Sequence, residues 1–162
     1  MPSPSAERPS TIRAITEIEQ NVWERGGVRR AARYLGDALG SVRSGLSELT
    51  VEAGALSNPP HTHSTEDELF VVLEGDGTLE LMNAVAEVVE RYPVRAGHVV
   101  SRPARDRLSH AFRAGAGGMR LLGYAKHDDA DMCFYPRSQK VGIGNLGVFL
   151  RVESLDYWDG EE

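Results

Sequence analysis

Pro60-His61-Thr62-His63-Ser64-Thr65-Glu66-Asp67-Glu68 runs straight into the apolar segment Leu69-Phe70-Val71-Val72-Leu73 and then Glu74-Gly75-Asp76-Gly77. In an extended chain successive side chains point to opposite faces, so His61 and His63 project to the same side and can present two imidazoles to one ion. Glu68 lies five residues beyond His63, an odd step that a straight strand aims at the other face. The polar run Ser64 to Asp67 must turn or bulge to bring that carboxylate round. Glu66 sits in the same run and competes with Glu68, because only the turn decides which oxygen faces inward. A further nitrogen ligand has to come from a later strand. The candidate is His110, in Arg102-Pro103-Ala104-Arg105-Asp106-Arg107-Leu108-Ser109-His110-Ala111-Phe112-Arg113. Two His at strand spacing, a carboxylate and a distant His point to metal ligation rather than to unrelated structural side chains.

Together with Gly54, Gly75 and Pro103, these residues resemble the two motifs of the cupin superfamily. The first motif, a glycine, His-x-His, Glu and a second glycine, matches well at Gly54, His61, His63, Glu68 and Gly75. The second departs from the family's Pro-x-Gly-x-x-His: Arg105 stands where the glycine belongs, and His110 comes two residues late. His110-Ala111-Phe112-Arg113, Cys133-Phe134-Tyr135-Pro136-Arg137-Ser138 and Asp156-Tyr157-Trp158-Asp159-Gly160 are similar to segments of a poorly characterised bacterial group of small single-domain cupins. The resemblance implies an all-β jelly-roll barrel, a ligand set of His61, His63, Glu68 and His110, and a divalent metal (Zn, Ni, Fe, Mn or Cu). Oxygenases, decarboxylases, lyases, isomerases and plain binding proteins all occur among cupins, so the fold does not choose between them.

A chain of 162 residues fits one domain with a real core. Its 41% hydrophobic and 26% charged residues exclude wholesale disorder and collagen-like repeats. The net charge of −6 argues against nucleic-acid binding; Arg29, Arg30 and Arg33 read as a small solvated face. Cys133 is the only cysteine, so an intrachain disulfide is excluded and a packing role is expected. No apolar stretch reaches signal-peptide or membrane-spanning length, so the sequence predicts a soluble, cytoplasmic protein without a membrane partner. An exposed strand edge would favour a homodimer.

Residues 1–10, rich in Pro and Ser, read as a disordered tail, 11–40 as an N-terminal extension, 41–155 as the barrel and 156–162 as a C-terminal tail. Ile12, Ile15, Ile18 and Val22 recur at helical spacing and predict a short helix within Thr11 to Arg25, ended by Gly26-Gly27, while their β-branched content leaves a strand open. Ser44 to Glu52 reads as a strand. Asp76-Gly77 predicts a type I′ hairpin pairing Leu69–Leu73 with Thr78–Met82, followed by a strand returning towards Pro93. Val99 and Val100, Leu108–Phe112, Met119–Lys126, Met132–Tyr135 and Val148–Val152 supply further strands. Short strands between Gly, Pro and Asp turns argue for an antiparallel sandwich or barrel.

Around the four ligands, Arg105 and Arg107 are candidates to capture an anionic substrate, and Phe70, Phe112 and Tyr124 to line its cavity. Tyr135 and Arg137 could close the barrel mouth or anchor the C-terminal segment, and Trp158 is expected to pack on the barrel. His98 and His127 read as exposed bystanders, and the acid/base candidates are Glu66 and Tyr124. Three readings follow: a metal-dependent enzyme of a small organic molecule (an oxygenase, lyase or isomerase), a non-catalytic small-molecule or carbohydrate-binding module, or a structural homodimer with a vestigial ion.

Overall fold

The computed structural model describes residues 10–161. The predicted disordered tail lies, apart from Ser10, outside them. A short 3-10 turn, Ile15–Glu17, leads into β1 (Asn21–Arg25) and β2 (Val28–Tyr34), then one helical turn, Leu35–Ala38. The rest of the chain is β3 (Ser44–Val51), β4 (Thr62–His63), β5 (Glu68–Met82), β6 (Val88–Arg95), β7 (Val99–Arg102), β8 (Ser109–Lys126), β9 (Met132–Tyr135), β10 (Lys140–Ile143) and β11 (Val148–Arg151). A seven-stranded sheet runs β1-β2-β3-β8-β5-β6 with β7 also on β5, and a four-stranded sheet runs β11-β10-β9-β4. The strand pairs in both sheets are antiparallel.

Alternation along the large sheet builds the core. Leu49 and Val51, Phe70 and Val72, Leu79 and Leu81, and Met119 and Leu121 are buried at steps of two and pack together from three strands, β3, β5 and β8. Buried Glu48 takes Arg33 and Arg120 at 3.0 and 2.9 Å, and buried Glu80 takes Arg113 through two bonds, 2.7 and 3.1 Å. Each buried carboxylate is thus met by a guanidinium, which offsets its desolvation.

Four expectations give way. The helical spacing of Ile12 to Val22 yields only the 3-10 turn, and Val22 to Arg25 lie in β1, where β-branched and aromatic side chains suit a pleated hairpin. Asp76-Gly77 is not a hairpin turn: β5 continues through it, with register shifts against β8 at Val72/Glu74 and Gly75/Gly77. The glycines serve close approach there. A Cβ on Gly75 would stand 2.1 Å from the Gly118 carbonyl oxygen, and one on Gly77 2.2 Å from that of Arg113. The arginine cluster is not one solvated face, because β2 sends Arg30 inward while Arg29 and Arg33 pair with Glu52 and Glu48. Trp158 is 69% exposed and meets Tyr157 rather than the barrel wall. β10 was not predicted at all. No helix among the described residues is long and apolar enough to cross a membrane.

Candidate metal centre

His61 and His110 are placed by one backbone pair: His61 N–H donates to the His110 carbonyl at 3.2 Å and His110 N–H to that of His61 at 2.8 Å. His63 follows on β4 and Glu68 opens β5. The intervening turn is organised by Asp131, whose Oδ1 accepts from the Thr65 and Glu66 amides (2.9 and 3.3 Å) and the Ser64 hydroxyl (3.2 Å). This capped turn supplies the change of direction that the odd His63-to-Glu68 spacing demands. The result is a convergence on one oxygen. Glu68 Oε2 lies 3.3 Å from His110 Nε2, 3.6 Å from His63 Nε2 and 3.9 Å from His61 Nε2. Ligand atoms of a tetrahedron with bonds of about 2.1 Å stand roughly 3.4 Å apart; the ligand atoms of His61, Glu68 and His110 all lie within 4.8 Å of one another, and His63 joins this trio through its 3.6 Å approach to Glu68.

The protonation states suit ligation. Burial, then the neighbouring His63, brings His61 down to about 4. Burial holds His110 well below its ordinary value. Both rings are therefore neutral at pH 7, with a nitrogen lone pair to offer. His63 Nδ1–H donates to Asp131 Oδ2 (2.6 Å), which leaves its Nε2 free, while His61 Nδ1 stands 2.9 Å from both the Pro59 carbonyl and the Asn58 amide nitrogen. Burial pushes Glu68 up to about 7. His110 Nε2 is buried with no hydrogen-bond partner, a cost that a cation at this point removes. The donor set fits a divalent ion of the Zn, Ni, Fe, Mn or Cu class.

Two other groupings share these residues: His61, His63 and Cys133, and His63, Glu66 and Asp131. Cys133 is half-buried and burial pushes its thiol up to about 12, so it stays a protonated thiol at pH 7. Asp131 is already saturated by hydrogen bonds. Burial alone would raise it, but the bonds from His63, Thr65 and Glu66 hold its carboxyl below the usual range. Glu66 Oε1 lies 3.5 Å from His127 Nδ1 and accepts from the Asp128 amide at 3.1 Å, while its Oε2 stands 3.9 Å from His63 Nδ1. Glu68 is the carboxylate that approaches all three Nε2 atoms.

A cavity of about 850 Å³ opens on His61 and Glu68. Phe70, Tyr124, Tyr135 and Arg137 line it; the Tyr135 ring stacks on His61 at 5.7 Å. Phe112 is fully buried in the core, and neither Arg105 nor Arg107, both exposed, borders the cavity. Asp106 instead pairs with Arg102 at 2.7 Å. Arg105 takes φ of +65°, the left-handed backbone that suits a glycine, and its N–H donates to the His63 carbonyl at 3.0 Å. The loop therefore keeps a glycine-like bend without the glycine. His98 and His127 are both exposed as read, and His127 also borders the cavity. Arg30 and Lys140 line it too and were missed as site residues. Inward alternation along β2 from Val28 was the available signal for Arg30.

Residues 47–122 match the Cupin_2 family model, a cupin domain. The chain contains a cupin domain. Its structural likenesses extend further. A protein of Acidithiobacillus ferrooxidans, described as a proposed sugar phosphate isomerase, is 26% identical, with a TM-score of 0.73 over 91% of this chain and 97% of that one. A sugar phosphate isomerase of the cupin superfamily from Silicibacter pomeroyi is 23% identical, with a TM-score of 0.71 over 85% and 90%, a likeness of fold. The polyketide cyclase RemF of Streptomyces resistomycificus is 26% identical, with a TM-score of 0.58 over 72% and 79%. Among curated proteins, none matches the sequence. The jelly-roll fold that the resemblance implied holds for this chain.

Proposed function

We propose that this cupin is a metal-dependent enzyme of small, oxygen-rich molecules, with isomerisation of a hydroxy-carbonyl compound of the sugar phosphate type as its reaction. The observation that carries metal dependence is the convergence of three imidazole Nε2 atoms on Glu68 Oε2, one of them, His110, buried without a partner. A bound divalent ion supplies Lewis acidity towards carbonyl and hydroxyl oxygens. Isomerisation is favoured by the likeness to the Acidithiobacillus protein over nearly the whole of both chains, and a cavity of about 850 Å³ accommodates a substrate of that size.

The chain's own groups supply the rest. Interconversion of a hydroxy-aldehyde and a hydroxy-ketone takes a proton from the carbon bearing the hydroxyl and returns one to the former carbonyl carbon, so no outside oxidant is required. His127 lines the cavity with Nδ1 beside Glu66 Oε1, and that carboxylate fixes one ring nitrogen and leaves the other to exchange the proton. Tyr135, stacked on His61, and Phe70 wall the site against water.

Incubation of metal-loaded protein in deuterated buffer with a panel of aldose and ketose phosphates should place deuterium on the exchanging carbon. Chelation or Glu68→Ala should abolish the exchange. Stoichiometric metal with no exchange from any of the panel would leave a non-catalytic binding module.

A further inference from the structure

β2 carries an arginine on the face that otherwise holds buried Val28 and Ala32. Its neighbours Arg29 and Arg33 pair with Glu52 and Glu48 at 3.3 and 3.0 Å. Arg30 has no carboxylate among the described residues: its Nε is buried without a hydrogen bond, and its guanidinium carbon lies 4.9 Å from the Trp23 ring centre. Lys140 is in the same position. Its Nζ stands 4.9 Å from the Tyr135 ring centre and 4.8 Å from that of Phe149, and it too lacks a carboxylate among the described residues.

Tyr135 links the two. Its ring sits under Lys140 and stacks on His61, and the charge of Arg30 acts on both Tyr135 and His61. Both cations therefore flank the wall of the metal centre. The cavity lining holds four Arg or Lys (Arg25, Arg30, Arg137, Lys140) against two carboxylates, Asp37 and Glu68. Glu68 is engaged with the imidazoles, so the balance is positive in a chain whose net charge is −6. A guanidinium desolvated without a counter-charge is unfavourable; an oxyanion in the cavity satisfies it through charge-assisted hydrogen bonds.

We propose that Arg30 and Lys140, which line the same cavity as Tyr135, form an oxyanion subsite that holds the phosphoryl or carboxylate end of a substrate whose remaining oxygens reach the metal centre. This assignment of the substrate's charged end rests on the reading of the centre as a metal site, but its test does not.

Metal-free protein is titrated with inorganic phosphate, with acetate, and with chloride at matched ionic strength, following thermal unfolding and amide chemical shifts. Phosphate should raise the unfolding midpoint beyond chloride. Arg30→Met and Lys140→Met should each weaken its apparent affinity tenfold or more, the double variant should abolish it, and Arg30→Lys should recover part. A response to acetate alone would keep the subsite and assign it to a carboxylate. No response to either anion in the parent, or an undiminished response in the folded double variant, overturns the proposal. So does phosphate binding that depends on His110 but not on Arg30 or Lys140, which would place the anion among the imidazoles. A failure of the metal reading shows separately, as no metal uptake with the phosphate response intact.

Discussion

At the scale of the residue, the centre depends on groups that touch no ion. Asp131 accepts from His63 Nδ1 and from the turn that swings Glu68 inward, so its removal frees both a ring and a turn. Asp131→Ala should weaken metal affinity about 10- to 100-fold, measured by chelator competition, while Glu66→Ala should change it little; equal effects would mean that the carboxylates have been assigned wrongly. Cys133 gives an independent check on ligand choice. With its thiol pushed up to about 12 by burial, alkylation of the metal-free protein at pH 8 should run on the order of 10³-fold slower than that of a free thiol, from the thiolate fraction alone. Rapid modification would bring Cys133 back as a ligand. His61, His63, Glu68 and His110 stood out as candidates because two His at strand spacing, a carboxylate and a distant His are rare together. Asp131 did not, since its partner His63 lies 68 residues away and its own surroundings, Asp128-Asp129-Ala130, read as a solvated run.

At the scale of the element, β5 and β8 are long strands whose mutual bend is made by glycine. Gly77 leaves no room for a Cβ beside the Arg113 carbonyl and the Met119 methyl, each at 2.2 Å. Gly77→Ala should destabilise the fold by about 2 kcal/mol or more, read from urea unfolding, and a loss below ~0.5 kcal/mol would show that the strands separate easily there. The same pair of glycines explains the mistaken hairpin. Asp-Gly between apolar runs is chemically fit for a tight turn, and only tertiary contact reveals that the chain continues. Ser44 to Val51 was legible from its Leu, Thr and Val content, although it alternates only loosely. Alternation was illegible in β10, a four-residue strand with a glycine inside it, and in β1, where the isoleucine spacing before it mimicked a helix.

At the scale of the whole molecule, the large sheet supplies the core and the small sheet brings Tyr135, Lys140 and Phe149 over the same cavity. Metal at the centre ties β4, β5 and β8 together, so ligation is also stabilisation. At free metal 100-fold above Kd the gain is about 2.7 kcal/mol. For a domain of this size, chelation should therefore lower Tm by roughly 5 to 10 °C, whereas a site that binds no ion would leave Tm unmoved.

The account turns on Glu68 and His110 sharing one ion with His61 and His63. Elemental analysis of protein purified without chelator, beside folded Glu68→Ala and His110→Ala variants, tests that directly. It predicts close to one divalent ion per chain in the parent and little in either variant. Metal-free parent protein even after reconstitution, or full occupancy in both variants, would contradict it.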